Sequence, residues 1–375
     1  MEIIIVGAGI GGLAAAIALA KDGHQVRLVE RSGEFTAAGA GIVLAPNAVQ
    51  VLASLGVSLA GEGQVLASTE ITDKAGRRLA NLSPARLATA HGPSYGITRA
   101  RVHELLAAAL PAGVEVIFDA SVRSVEDDGS RVHLGSSAGE LSAEAVVAAD
   151  GLRSAVRAQL PTGPGALRYS GTTCWRGVID FEPGQVATEA WGGHTRVGVV
   201  PVGGGRAYYY LVATAEPEAS GPSDLAGFTE LFDGYGGVAG ELLAELRQVP
   251  PLHHDLLELD RPVWGAGRVL LLGDAAHSMT PNQGQGAVMA IEDAKALMLA
   301  VRGGAEGALA RYTAARHARV RKVQLDSRRL GEVAHWRNPV AMAVRNFGMR
   351  LTPQSAGDAT LAALVRPGIE LAVAK

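Results

Sequence analysis

Glu2-Ile-Ile-Ile-Val6-Gly7-Ala-Gly9-Ile-Gly11-Gly12-Leu13-Ala-Ala-Ala-Ile-Ala-Leu-Ala20 is the stretch that decides the fold. Its short β-branched run ends in glycine and reads as a buried strand. Leu13 to Asp22 reads as an alanine- and leucine-rich helix stopped by Gly23, and Gln25 to Glu30 as a second strand. Gly7-x-Gly9-x-x-Gly12 therefore sits between a strand and a helix, the context that gives this pattern its meaning. Gly7 permits the tight turn, Gly9 lets the backbone approach a pyrophosphate, and Gly12 lets helix and strand pack closely, with Gly11 between them. The helix N-terminus offers unpaired N–H groups to phosphate. Glu30 stands 18 residues beyond Gly12, where a carboxylate accepts hydrogen bonds from an adenosine ribose, with Arg31 beside it. Dinucleotide binding follows. The motif alone does not choose between NAD and FAD.

Outward from this unit, the 375 residues suggest two domains. Gly39-Ala-Gly41 and Pro46-Asn47 mark a loop, followed by helices near Ala48–Leu55 and Arg101–Leu110. Strands are predicted at Val114–Phe118, Ser121–Asp127, Arg131–Gly135 and Ala145–Ala149. From about 164 to 262 glycine, proline and aromatics concentrate, with strands at Thr172–Phe181, Val186–Trp191, Arg196–Pro201 and Ala207–Ala213. Arg268–Leu272 returns to a buried strand, and Gly286–Val301 and Gly307–Trp336 read as helices. The expected class is α/β with an α+β insert. Residues 1–67, 97–163 and 263–336 would form the nucleotide domain, 68–96 and 164–262 an inserted, mostly antiparallel substrate domain, and 337–375 a C-terminal tail.

Composition narrows the function classes. The chain is 48% hydrophobic and 19% charged with a net charge of −3, which excludes a disordered chain and a dominant basic field for nucleic acid. The Arg316-Arg319-Arg321-Lys322 and Arg328-Arg329 residues of the second long helix read as a solvated face. A single cysteine, Cys174, permits no intramolecular disulfide and fits a reducing, cytoplasmic setting. Ile3 to Ala20 carries no charge over 18 residues, but four glycines interrupt it and no basic region precedes it. No membrane partner and no metal are expected. H-E-x-x-H, C-x-x-C and G-x-S-x-G are absent, and the neighbours His253, His254 and Asp255 point apart on a strand or turn.

The second half chooses the cofactor. Leu270-Leu-Leu-Gly273-Asp274-Ala-Ala-His277-Ser-Met-Thr-Pro281-Asn-Gln-Gly284-Gln285-Gly286 is a buried strand, a Gly-Asp pair and a glycine-bearing turn into a helix. An aspartate at a strand end is placed to accept from sugar-type hydroxyls. A helix opening at Gly284-Gln285-Gly286 can stabilise negative charge on a nearby ring. His277 reads as part of the turn.

With the Gly7–Gly12 fingerprint, Ala149-Asp150-Gly151-Leu-Arg153-Ser154-Ala-Val-Arg157 and the Thr98-Arg99-Ala100 segment, the chain resembles the FAD-dependent aromatic hydroxylases, the para-hydroxybenzoate hydroxylase-like (group A) flavoprotein monooxygenases. The likeness runs from residue 1 to about 330. It implies that Asp274 holds the flavin ribityl chain, that Gly284 and Gly286 lie beside the isoalloxazine with Pro281 and Gln285 among the cofactor-binding residues, and that Arg99 reaches the flavin. It further implies that Asp150 and Arg157 link FAD to the reduced nicotinamide, that Gly41 and Val43 belong to a loop over the ribityl chain, and that Val122 touches adenine through its backbone. The implied reaction uses NADH or NADPH and O2, through a flavin C4a-hydroperoxide, to hydroxylate an electron-rich ring. No second fingerprint exists for the nicotinamide, since Gly203-Gly-Gly205 reads as a hairpin turn.

Within the family the chain looks most like the urate and salicylate hydroxylases. Gly193-His-Thr-Arg196 through Pro201, then Gly205-Arg-Ala-Tyr208, resembles the urate enzymes' substrate arginine and tyrosine. Adjacent strands would put Arg196 and Tyr208 on one face, toward a ligand over the flavin. Arg176 departs from that pattern and is the rival cation. The expectation is a small aromatic or purine-like substrate and a monomer or homodimer. Two alternatives remain open: a related flavoenzyme such as an epoxidase, and a non-catalytic Rossmann protein that senses NAD(H). A halogenase is disfavoured because W-x-W-x-I-P is absent.

Overall fold

A computed structural model describes residues 1–36, 40–222, 224–250 and 252–374, without the side chains of residues 84, 86 and 87. The fingerprint strand Glu2–Val6 lies inside a six-stranded sheet. Its order is Gly265–Ala266, Val269–Leu271, Ala145–Ala148, Glu2–Val6, Gln25–Val29 and Glu115–Ile117. All neighbours run parallel except the short Gly265–Ala266 edge. Ile3, Ile4 and Ile5 are essentially inaccessible, as a strand covered on both faces requires. Helix Ile10–Lys21 follows and shares one continuous core with helix Gly286–Val301.

The second sheet has seven strands in the order Leu252–Leu259, Leu167–Asp180, Arg206–Thr214, Thr195–Gly203, Val186–Trp191, Ser68–Asp73 and Arg78–Leu82. Only Val186–Trp191 against Ser68–Asp73 is parallel. Strand alternation splits its side chains. Trp175, Val197, Val199, Tyr209 and Leu211 pack on helices Leu225–Leu231 and Gly237–Glu245 through Phe228, Phe232, Tyr235 and Leu242. Burying such a Leu or Phe is worth about 1.5–3 kcal/mol. Arg176, Glu189, Arg196, Tyr208 and Tyr210 occupy the opposite face, which looks into a cavity.

A small antiparallel sheet, Gly41–Leu44 with Tyr95–Thr98 and Gln64–Val65, joins the two halves. Gly41, read as a loop residue, instead opens a strand, and Gly39 lies outside the described residues. A side chain at 41 would run into the Tyr208 ring, so the glycine lets this strand close on the large sheet.

Residues beyond 337, given no structure from sequence, form helices Pro339–Leu351 and Gln354–Val373. The second packs on helix Pro46–Ser54, and its Leu361 and Leu364 help wall the cavity. The arginines of helix Ala308–Ala334 are a second correction. Arg316 is buried, and Arg319 and Arg328 also turn inward to carboxylates, because acidic residues face them from other elements. Only part of that basic face, including Lys322 and Arg329, is solvated.

Candidate active site

Gly7 has φ +99°, and a Cβ there would strike the Ala149 carbonyl; one at Gly12 would strike the carbonyl of Gly7. Both positions are closed by backbone. At Gly9 a Cβ would meet nothing within 4 Å, so open space lies beside the N-terminus of helix Ile10–Lys21. That space belongs to a cavity of about 1040 Å³. Gly9, Gly11, Gly41, Val43, Arg99, Asp274, Pro281, Gly284, Gln285 and Gly286 line it, together with Arg176, Arg196 and Tyr208.

The remaining expected residues lie off this wall. Glu30 Oε2 accepts from Ala8 N at 2.7 Å and Oε1 from Ser32 N at 2.9 Å. Its carboxylate thus ties the glycine loop to the strand end, leaving further lone pairs for a ligand. Ala120 N bonds the Glu30 carbonyl at 2.9 Å, which brings the Val122 segment beside Glu30 and Arg31. Asp150 Oδ2 accepts from Val156 N at 3.2 Å, while Oδ1 is buried with no partner. Arg157 donates to the carbonyls of Leu152, Pro164 and Ala275 (2.5–2.8 Å), which makes it a staple between the Asp150 and Asp274 turns.

Asp274 opens a short helix after Gly273, whose φ of 61° suits glycine. Its carboxylate is exposed on the cavity wall and makes no hydrogen bond among the described residues. Beneath it lies a buried ionic floor that the sequence reading missed. Arg316 donates to Glu292 and Asp293 at 2.7 Å each, and Arg319 to Glu292 at 2.9 Å. His277 Nε2 donates to Asp293 at 2.5 Å, and Asn47 donates to Glu292 at 2.7 Å and to Gln285 at 3.3 Å. Burial opposes the charge on Asp293, yet His277 and Arg316 hold its carboxyl below the usual carboxylate range; Arg316 and Arg319 do the same for Glu292. Gly273 N also bonds Asp293, so the floor fixes the Asp274 turn.

On the sheet face, Arg196 is fully engaged. It donates to His335 Nε2 at 2.8 Å, Glu189 Oε1 at 3.1 Å and Asn282 Oδ1 at 2.7 Å. Glu189 also accepts from Trp191 Nε1 at 2.7 Å and from the Tyr210 hydroxyl at 2.5 Å. Glu189, Asn282 and His335 were invisible as a set because 86 and 139 residues separate Arg196 from two of them.

Arg176 differs. Its Nε donates to Cys174 Sγ at 3.3 Å, and among the described residues no carboxylate lies within ion-pair distance of it. Arg176 and Tyr208 do share the cavity face, since Tyr208 pairs with Val178 in register and Arg176 with Tyr210. The Tyr208 hydroxyl makes no hydrogen bond among the described residues, and burial pushes its pKa up to about 12 against the pull of Arg176. His253 stacks on Trp175, whereas His254 turns to the cavity opposite Cys174. His254 is exposed on the cavity wall. Desolvation first, then the Arg176 charge, push its pKa down to about 4.

The residues present suit FAD. The space at Gly9, the unpartnered Asp274 carboxylate and the open Gly284 turn lie along one cavity, and the orphaned Asp150 oxygen sits next to Gly151 on its wall. Among the described residues no group of His, Cys, Asp and Glu could hold a metal ion, and no helix is long and apolar enough to cross a membrane.

Residues 1–327 match the family model described as an FAD binding domain. The chain is 35% identical over 373 residues to the aurachin C monooxygenase/isomerase of Stigmatella aurantiaca, with 96% of each covered. It is 37% identical over 374 residues to the 2-heptyl-3-hydroxy-4(1H)-quinolone synthase of Pseudomonas aeruginosa, with 95% of each covered. The crystal structure of Klebsiella pneumoniae HpxO complexed with FAD and uric acid superposes with a TM-score of 0.88 at 28% identity, over 98% of this chain and 97% of that one. The chain belongs to the FAD-dependent monooxygenases of the para-hydroxybenzoate hydroxylase-like group.

Proposed function

We propose that this protein uses NAD(P)H and O2 to hydroxylate a planar aromatic or purine-like ring bearing an ionisable hydroxyl or oxo group. The observation that carries this reading is the half-buried Arg176 cation, without an acidic partner among the described residues, on the sheet face that shares a cavity with Gly284–Gly286. When bound, FAD accepts hydride from the nicotinamide and activates O2. The chain's part is to bind, orient and exclude water. Asp274 would accept from ribityl hydroxyls, and backbone N–H groups at Gly9 and at Gly284–Gly286 would hold the pyrophosphate and stabilise charge on the ring.

Arg176 holds the substrate oxygen and favours its anion, which makes the ring a better nucleophile; each pK unit of that preference is about 1.4 kcal/mol. Tyr208, kept protonated by burial, donates to the same oxygen or its neighbour. Arg196, the first choice from the family likeness, becomes a positioning residue, because its guanidinium is already spent on Glu189, Asn282 and His335. An apolar arm of the cavity, with Leu66, Ile71, Leu82, Leu361 and Leu364, favours a ring carrying an apolar substituent over urate. The 2-heptyl-3-hydroxy-4(1H)-quinolone synthase at 37% identity, whose product carries a heptyl chain, points the same way.

The test measures NAD(P)H oxidation, O2 uptake and product with 2-alkyl-4-quinolones, hydroxybenzoates, hydroxynicotinate and urate. The purified protein should be yellow. A colourless protein, or no stimulation by any ring, would overturn the reading. Arg176→Ala should raise KM at least tenfold and release hydrogen peroxide in place of product, a loss of about 1.4 kcal/mol or more. If Arg196→Ala uncouples while Arg176→Ala stays coupled, the two arginines have been assigned the wrong way round.

A further inference from the structure

Helix Pro339–Leu351 is amphipathic in the wrong sense for a surface in water. Asn338 caps it through its side chain, accepting from Val340 N and Ala341 N. Its inward face carries polar groups. Arg345 is buried, donates to the carbonyls of Val333 and Ala334 at 2.9 and 3.1 Å, and lies 5.0 Å over the Trp191 ring. Its outward face is apolar: Val340 is 72% exposed, and Val344, Phe347 and Leu351 are 65% each. These fall at i, i+4, i+7 and i+11, one stripe along the helix. A water-facing helix reverses this polarity.

Two further features say what covers the stripe. Trp336, 40% exposed, and the exposed Arg337 precede the helix, which itself contains no acidic residue; Arg350 at its far end is paired with Asp73 at 3.1 Å, so Arg337 is the free cation beside the stripe among the described residues. Residues 337–375 hold five basic and two acidic side chains, a net of +3 in a chain of net −3. A second copy of the chain is the poorer occupant: a stable interface buries roughly 800 Å² per partner, more than four side chains on one short helix supply, and two such faces would bring like charges together. Tryptophan with apolar residues between arginines is the composition of helices that lie in a lipid headgroup layer.

We propose that helix Pro339–Leu351, with Trp336 and Arg337, docks the protein reversibly on an anionic lipid surface. The proposal stands apart from the hydroxylase reading and uses none of its residues. It departs from the expectation of no membrane partner, which rests on the lack of a spanning segment alone.

The test floats the full-length, FAD-loaded protein with vesicles of phosphatidylcholine alone and of phosphatidylcholine with phosphatidylglycerol. Binding should favour the anionic vesicles at least tenfold and weaken with salt. The double substitution Val344→Glu with Phe347→Glu should reduce binding at least tenfold, and Arg337→Glu severalfold, both with flavin content unchanged. Brominated lipid should quench Trp336 fluorescence, since Trp175, Trp191 and Trp264 are buried. Equal binding by wild type and the double variant would overturn the proposal, as would no binding by either. So would a wild-type dimer by light scattering that the double variant splits, because the face would then be a seam between copies.

Discussion

One charge cluster lies behind the Asp274 turn and another stands on the sheet wall of the cavity, and they are built on opposite plans. Under Asp274, the cations of Arg316 and Arg319 are matched by Glu292 and Asp293, with hydrogen bonds from Asn47 and His277 filling remaining lone pairs. On the sheet, Arg176 stands beside a thiol and two tyrosines with no carboxylate in ion-pair reach among the described residues. A compensated cluster has no affinity left to offer a ligand, so it serves as a floor. An uncompensated cation in a cavity is costly until an anion arrives, which makes it a site. Arg196 shows that the sheet can also compensate a cation, since Glu189 pairs with it at 3.1 Å. The contrast therefore lies in the neighbours and not in the type of sheet.

The largest expected effect comes from breaking the floor. Arg316→Met leaves Glu292 and Asp293 buried with fewer partners, a change that typically costs about 3–5 kcal/mol. Urea unfolding of the flavin-free protein should show it. A loss below about 1 kcal/mol would mean that the ion pairs are incidental to stability. The floor should also be acid-labile. Both carboxyls are held below their usual values, so their contribution is full above pH about 4 and declines as pH falls below it.

Asp274→Ala tests the other side of the contrast, a group prepared for a ligand and not for the fold. Its carboxylate is exposed and makes no protein hydrogen bond among the described residues, so removing it should leave the flavin-free melting temperature nearly unchanged. FAD affinity should fall by about 1.5–3 kcal/mol, the worth of a charge-assisted hydrogen bond. Full flavin occupancy in the purified variant would remove Asp274 from the cofactor site.

What the sequence disclosed follows the same division. The fingerprint, the strand alternation of residues 172–213 and the Gly273–Gly286 turn are local patterns, and each element stands where the pattern put it. Gly7 and Gly12 even show the steric reasons inferred for them. The compensated clusters were hidden because their partners come from distant segments: Arg316 meets Glu292 over 24 residues and Arg196 meets His335 over 139. A row of arginines looks the same whether carboxylates or water lie opposite, so from sequence helix Ala308–Ala334 reads as solvated. The last two helices escaped for a different reason. One carries its polar groups inward, against the usual polarity, and in the other Pro367 interrupts an inward stripe of Leu361, Leu364, Val365, Leu371 and Ala372, so the sequence pattern reads as broken.

The smallest effect sharpens the comparison by titration. His335 accepts from Arg196 Nε at 2.8 Å and its Nδ1 lies 3.2 Å from Thr214 Oγ1. Burial first, and the Arg196 charge second, push its pKa from 6.5 down to about 3. In the unfolded chain the same imidazole binds a proton near pH 6.5. As pH falls below that value the unfolded state gains a proton that the folded state refuses, so stability is full above pH 6.5 and drains until about pH 3, where both forms are protonated. The slope is at most about 1.4 kcal/mol per pH unit, before the floor carboxyls begin to titrate. His335→Gln keeps an acceptor for Arg196 and removes the titration, so its melting temperature should fall less than that of the wild type between pH 7.5 and 5. Identical pH profiles would mean that the folded protein admits the proton at His335, and that the sheet-side cluster is less closed than the floor beneath Asp274.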